Sequence, residues 1–250
     1  MKNKIKFILK SIYILLNCKT FQTIYINFKM LPIKQAIFLP IYIYTKTEFR
    51  SLDGVIKIKG KVYPNMIHIG DNTRYVTTYR PLSIWTINGT LIFEGRINFY
   101  HGTYIYVAKG AILNLGTNGT FVGSGSKIIC RERISIGNNV EITWENQIYD
   151  TSFHYIIDNK NDIKKLTQPI VIGNNVWIGN RVTIGKGTIL PSNSIVSSNS
   201  FMNKDFSNFG ENCLFAGLPA ECKRRNYCRI YDYNIEKEID KKYNYVRYKL

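Results

Sequence analysis

Acidic residues are scarce in this sequence: 17 Asp and Glu stand against 34 Lys and Arg, a formal net charge of +17. That balance points to acidic partners such as phosphates, nucleic acid or an anionic membrane surface. Part of it is a drift toward Lys, Asn, Ile and Tyr along the whole chain, which carries no functional message. Cysteine is sparse too. Cys18, Cys130, Cys213, Cys222 and Cys228 are odd in number, scattered and without a CxxC pair. A disulfide framework and a zinc site are therefore not indicated, and a reducing, cytoplasmic compartment fits best. No run of eighteen uncharged apolar residues exists, so no spanning helix is expected. The start resembles a secretory signal, but Lys6 and Lys10 interrupt the apolar stretch Ile5 to Leu16 and no small-residue cleavage site follows. Ile5, Ile8, Leu9, Ile12, Leu15 and Leu16 share one helix face, with Lys2, Lys6 and Lys10 elsewhere. A short basic amphipathic helix is expected, either packed on the main domain or touching the inner face of a membrane.

What the chain does have is a period. In steps of six from 172 stand Ile172, Ile178, Ile184, Leu190, Val196 and Met202; four residues after each come Val176, Val182, Thr188, Ser194, Ser200 and Phe206. Turn formers lie between: Gly173-Asn174-Asn175, Gly179-Asn180, Gly185-Lys186-Gly187 and Pro191-Ser192-Asn193. Period six with a turn in every repeat fits neither a helix nor a hairpin meander. It fits a parallel β-helix whose six-residue unit is one short strand and a corner, with about eighteen residues per coil. The period recurs at Ile136, Ile142 and Ile148, more weakly at Ile87, Phe93, Phe99 and Ile105, and its phase slips between 107 and 135. Residues 52–225 are read as the β-helix domain, 1–51 as an amphipathic helix and lead-in, and 226–250 as a C-terminal cap or tail. An excursion interrupts the repeat at 150–169, where Lys160, Asp162, Lys164 and Lys165 cannot face a dry interior; long loops in compact repeats are usually functional.

The stretch Ile172-Gly-Asn-Asn-Val-Trp-Ile-Gly-Asn180, then Gly185-Lys-Gly187, then Ala216-Gly-Leu-Pro-Ala220, resembles the hexapeptide-repeat acyltransferases. More narrowly it is similar to the maltose and galactoside O-acetyltransferases and their relatives in capsule and lipopolysaccharide synthesis. Asp150-Thr-Ser-Phe-His154 sits where those enzymes carry their catalytic histidine. The resemblance implies a left-handed parallel β-helix, a homotrimer, and active sites between subunits with coenzyme A along the coils. The hand is not readable from the period, since most parallel crossovers are right-handed.

Acetyl transfer from a thioester to a hydroxyl needs a base, a home for the oxyanion and a grip on the donor. An imidazole suits the first task, typically contributing about 10² to 10⁴-fold. His154 is the expected base, with Asp150 either orienting it or the acceptor, or serving as a turn cap. By resemblance, the Gly179-Asn180 corner lies beside the thioester and supplies a backbone N–H to the oxyanion. Ser198, Lys204, Lys223 and Arg224 match positions that hold coenzyme A, where cations meet its phosphates. Trp144 points outward as an acceptor wall, and Trp177 outward toward a subunit interface. Relatives often carry an asparagine near 125 that touches the acceptor hydroxyl, whereas Gly123-Ser-Gly-Ser126 stands here. The expected function is acetyl transfer from acetyl-CoA to a sugar hydroxyl of a surface-polysaccharide precursor, lipid-linked in view of the basic start. The alternatives are N-acetylation of an amino sugar and a non-catalytic β-helix binding an anionic partner. No nucleic-acid motif is present, and no metal ligand set is indicated.

Overall fold

The computed structural model describes residues 18–71 and 81–243. The expected helix at Ile5–Leu16 lies outside these residues. Among the described residues the chain coils through three sheets, of nine, seven and six strands, parallel but for the last strand of the first, that form the faces of a prism. Each turn visits the faces in the same order: the nine-stranded face (Ile67–Asp71, Ile97–Tyr100, Trp177–Ile178), the seven-stranded face (Ser83–Ile87, Tyr104–Val107, Thr183–Ile184), then the six-stranded face (Thr90–Phe93, Ile112–Leu115, Ile189–Leu190). They are called the first, second and third faces below.

The two columns of the period are the interior. Ile136, Ile142, Ile148, Ile172, Ile178, Ile184, Leu190, Val196 and Met202 are buried, as are Val176, Val182, Thr188, Ser194, Ser200 and Phe206. Stacked pairs such as Ile178 over Val196 and Ile184 over Met202 are eighteen residues apart, one coil of three hexads. Upstream the coils lengthen. Val122 lies over Ile142, twenty residues on, and Ile105 over Ile128, twenty-three on. The extra residues sit in corners, which is why the phase slips between 107 and 135 although Leu113, Leu115, Val122 and Ile128 remain inward. Corners are made by residues in the left-handed region, chiefly Asn: Asn139, Asn175 and Asn193 have φ of 55°, 54° and 59°. Their side chains form a ladder, Asn139 Nδ2 donating to Asn175 Oδ1 and Asn175 Nδ2 to Asn193 Oδ1, each at 3.0 Å. Asn accepts this conformation at low cost because its short polar side chain bonds locally.

Strands of the first coil begin at Ile41–Ile43 and Thr47–Ser51, ahead of the boundary expected at 52. The hexad register does not show them because corners of irregular length follow. Before them stands a helix that the sequence reading missed, α1 (Thr20–Met30), followed by the short α2 (Ile33–Ala36). It lies across the open end of the first face. Asn27 Nδ2 donates to the Ile41 carbonyl at 2.6 Å, and the Ile41 N–H donates back to Asn27 Oδ1 at 3.1 Å. Thr23 Oγ1 accepts the Ile43 N–H at 3.0 Å.

At the other end Cys213–Gly217 adds a parallel strand to the first face, and Ala220–Arg225 returns antiparallel beside it. Phe206, Phe209 and Phe215 close the bore, with ring centroids 4.9 to 6.3 Å apart. The cap is thus built by residues 206–225, rather than by the stretch after 225. Beyond it, α3 (Tyr233–Lys242) is capped by Asp232 and buries no residue. Tyr227–Tyr231 runs back along the first face, where Arg229 pairs with Glu141 and lies over the rings of Trp177 and Tyr231. Trp177 faces outward as expected, but this tail packs against it.

Candidate active site

The excursion leaves the prism at the edge between the second and third faces. The next coil returns to that edge at Gly185-Lys186-Gly187, so the corner following the excursion lies directly beside it. Asp150 fixes its base. The fully buried carboxylate accepts three backbone N–H bonds from the preceding coil: Arg131 at 2.7 Å, Glu132 at 2.8 Å and Arg133 at 2.8 Å. Neither oxygen bonds to His154, so the expectation that Asp150 orients the imidazole is not met by this chain. The turn-anchoring alternative describes it. Both of its oxygens accept amides of the corner below. Burial, with the same carboxylate beside it, pushes the Cys130 thiol up, so that Cys130 stays protonated.

From this base the chain makes an abrupt turn. The His154 N–H donates to the Ser152 carbonyl at 2.7 Å, and between them Phe153 has φ of 62°, leaning against Tyr149 at 5.8 Å. A bulky residue held in the left-handed region is uncommon and costs of the order of 1–3 kcal/mol. Such sites persist where surrounding bonds over-determine them, and here several do. Phe153 N donates to Thr151 Oγ1 at 3.0 Å, and Ser152 Oγ donates to the carbonyls of His154 and Leu166. Lys186 reaches across from the next coil, Nζ donating to Ser152 Oγ at 3.1 Å and to the Lys165 carbonyl. The imidazole is exposed and makes no side-chain hydrogen bond among the described residues. The backbone of His154 is thus held by the turn, while its two ring nitrogens have no partner among the described residues. The sequence reading took Lys186 only as a turn residue. Its position thirty-six residues after Asp150, two regular coils' length, was the available signal.

Further out, Ile156–Ile157 pairs antiparallel with Ile163–Lys164 in a hairpin. Asp158 closes its tip, accepting from Lys160 N, Asp162 N and Lys164 Nζ, and the Lys164 ammonium together with these amides holds its carboxyl below the usual range. Between hairpin and prism lies a groove of about 600 Å³, floored by Val171 and Ile189 and walled by Tyr155, Lys165 and Gln168.

The other expected residues gather at a different edge, between the first and second faces. Asn180 Oδ1 accepts from Ser198 Oγ, one coil on, at 2.5 Å. Half-buried Trp144 lies one coil earlier, its carbonyl accepting from Arg181 N at 3.2 Å, and Arg181 pairs with Glu145 at 2.6 Å. Gly179 has no room for a side chain: a Cβ would stand 2.7 Å from Ser198 N and 2.8 Å from Ser198 Oγ. Its N–H is committed to the Val196 carbonyl at 2.8 Å, so Gly179 does not offer the oxyanion donor. The N–H of Asn180, the next residue, has no partner among the described residues. Ser124 and Ser126, in the region of the expected asparagine, are buried in the corner.

The cations are spread. Lys204 is exposed at the edge of the excursion, Nζ 5.5 Å from the Phe206 ring. Lys223 and Arg224 sit on the returning terminal strand, Lys223 paired with Glu221 at 2.7 Å and Arg224 over Tyr227 at 6.0 Å. Exposed contacts of this kind hold a side chain only weakly. The structure therefore brings Asn180 and Ser198 together, and Asp150 and His154 onto one turn. It leaves the two groups on separate edges of one chain. The other histidines are internal: His68 bonds Asp71 at 2.9 Å and the Asn65 carbonyl at 3.1 Å, and His101 is buried.

No family model matches the sequence. An uncharacterized 24.8 kDa protein of the cps region of Klebsiella pneumoniae is 34% identical over 176 residues, which cover 68% of this chain and 77% of that one. Among solved structures, the polySia-specific acetyltransferase NeuO matches with a TM-score of 0.58 at 19% identity, over 81% of this chain and 83% of its own. The polysialic acid O-acetyltransferase OatWY matches at 0.48 and 19%, over 81% and 100%; the assignment of fold rests on the former. With the hexad columns, the corner ladder and the excursion in place, the chain has the left-handed β-helix fold of the hexapeptide-repeat acetyltransferases and is a relative of the cps-region protein.

Proposed function

We propose that this protein transfers an acetyl group from acetyl-CoA to a sugar hydroxyl of a surface-polysaccharide precursor, with His154 as the base. The observation that carries this reading is the His154 turn. A histidine with both ring nitrogens free is held on a strained, over-determined backbone beside a groove. The cps-region relative and the polySia-specific acetyltransferase support a polysaccharide acceptor. In this reading the imidazole takes the acceptor's hydroxyl proton as its oxygen bonds to the thioester carbonyl carbon. The resulting oxyanion is met by the Asn180 N–H. Collapse breaks the carbon–sulfur bond, and the coenzyme A thiolate takes the proton back from the imidazolium. One preorganised backbone donor is worth about 10² to 10³ in rate.

Because His154 and Asn180 lie on different edges, the reading requires a homotrimer in which His154 of one subunit meets Trp144, Gly179, Asn180 and Ser198 of its neighbour. The exposed apolar side chains of the excursion (Tyr155, Ile156, Ile157 and Ile163) support such an arrangement, since a second copy would cover them. Lys204, Lys223 and Arg224 would meet the phosphates of coenzyme A, as point charges and a fork near the end of the stack. The test is release of free thiol from acetyl-CoA by purified protein, with and without capsule oligosaccharides. Acetyl transfer only to an amino group would replace the hydroxyl acceptor, and absence of thioester cleavage with every acceptor would refute catalysis.

A further inference from the structure

The helix α1 is amphipathic in the wrong sense for a solvent-facing cap. Its inner face, Thr23, Ile26, Asn27 and Met30, seats on the first coil. Phe21, Ile24, Tyr25 and Phe28, spaced i, i+3, i+4 and i+7, form one outer stripe. All four are exposed, Phe21 at 92%. Just beyond, Ile33, Ile37 and Phe38 are exposed as well. Among the described residues, Phe21, Ile24 and Tyr25 line an open concavity of about 420 Å³ with Gln22 as its one polar wall. Seven exposed large apolar residues within eighteen positions mark an interaction surface rather than scattered surface hydrophobics.

The charge around this stripe says what covers it. Lys19, Lys29 and Lys34 are exposed on the same two helices and their lead-in, and no ion pair holds any of them among the described residues. The first 47 residues of the sequence contain eight lysines and no Asp or Glu; the first acid is Glu48. Nearly half of the net charge of +17 is therefore concentrated at this end. Two such caps facing each other would place like charge against like, which disfavours a second copy as the occupant. Aromatic and aliphatic side chains flanked by unpaired lysines match the boundary of an anionic bilayer, where apolar groups enter the acyl region and cations stay among the phosphates. Among the described residues no helix is long and apolar enough to cross a membrane, so the contact is peripheral. We infer that the N-terminal cap docks the protein onto anionic phospholipid through the outer stripe of α1, with the solenoid standing away from the surface. This does not rest on the acyl-transfer reading.

The test is co-sedimentation of the full-length protein with vesicles of phosphatidylcholine alone and of phosphatidylcholine with phosphatidylglycerol. Binding is expected to the anionic vesicles only and to weaken as salt rises. The triple variant Phe21→Ser, Ile24→Ser, Phe28→Ser should lose at least about tenfold in partitioning. Lys19→Gln with Lys29→Gln and Lys34→Gln should weaken binding and flatten its salt dependence, with thermal unfolding unchanged. Should the serine variant fail to fold, Phe28→Trp supplies the reading: the indole emission this substitution adds to that of wild type should be quenched by brominated lipid in anionic vesicles. Failure of the wild type to bind, equal binding by the serine variant, or added emission that brominated lipid leaves unquenched would each overturn the inference. So would a change in sedimentation coefficient of the serine variant without lipid, which would assign the stripe to a second copy.

Discussion

Replacing Asp150 by alanine separates an anchoring carboxylate from a catalytic one. The side chain is fully buried and accepts three amide N–H groups at 2.7 to 2.8 Å. Hydrogen bonds to a charged group contribute about 1.5–3 kcal/mol each, and removing the acceptor strands the donors. Water entering the vacated space would recover part of this, so a net loss of about 3–5 kcal/mol is expected. For a chain of this size that lowers Tm by roughly 10 °C. Asp150→Asn keeps one acceptor oxygen but turns an NH₂ toward an amide, so it should lose nearly as much. Turnover should fall as well, because the His154 turn begins at this anchor. Urea and thermal unfolding followed by circular dichroism, alongside thiol release from acetyl-CoA, read both effects. Unfolding within about 1 kcal/mol of wild type, with turnover lost, would refute the reasoning and return Asp150 to the chemistry.

His154→Ala should behave in the opposite way, unfolding and binding coenzyme A like wild type while turnover falls by about 10² to 10⁴-fold; near-normal turnover would remove the proposed base. Gly179→Ala drives a Cβ into Ser198 N and Oγ, so it should cost of the order of 1–3 kcal/mol in urea unfolding and lower turnover by moving the Asn180 N–H. Lys204→Ala or Arg224→Ala should raise the KM for acetyl-CoA without changing that for the acceptor, and an unchanged donor KM in both would return these cations to solvent. The Asp158 carboxyl is held low by Lys164 and two amides, so its contribution to the hairpin tip is complete above the ordinary carboxylate value near pH 4 and is lost as pH falls through the lowered one. Hydrogen-exchange protection at Lys160 and Asp162, taken relative to the intrinsic rate at each pH, should fall over that acid range and not above it.

The regular coils were legible because each six residues place one aliphatic side chain inward, and Ile172 to Met202 do so without exception. Upstream the same interior exists, but coils of twenty to twenty-three residues carry their surplus in corners, so a fixed step drifts out of phase. The position of the excursion was legible from charges that no bore could hold. The bonding of Asp150 was not, because its partners lie seventeen to nineteen residues upstream, one coil away, and are main-chain groups that any residue supplies. Gly179 was legible as a glycine that a corner requires, but not which amide of that corner is spoken for. Helix α1 escaped because its apolar residues serve two faces, and a pattern searched for one buried stripe does not resolve them.

The two ends of the stack have a consequence for how these molecules behave in a crowded solution. A parallel three-sided coil is a template: each rung offers the next an unpaired row of N–H and C=O groups, and a second molecule could continue where the first stops. On the first face such elongation is interrupted at both ends, by a different means at each. At one, the Asn27 amide occupies the N–H and C=O of Ile41 as a strand of a single side chain would, leaving an incoming rung no partner there. At the other, the last strand runs backwards and presents Glu221, Lys223 and Arg224, so a parallel rung meets reversed polarity and charge. Both ends of the first face are thus closed to a parallel rung, one by a side chain and the other by the direction of the strand itself.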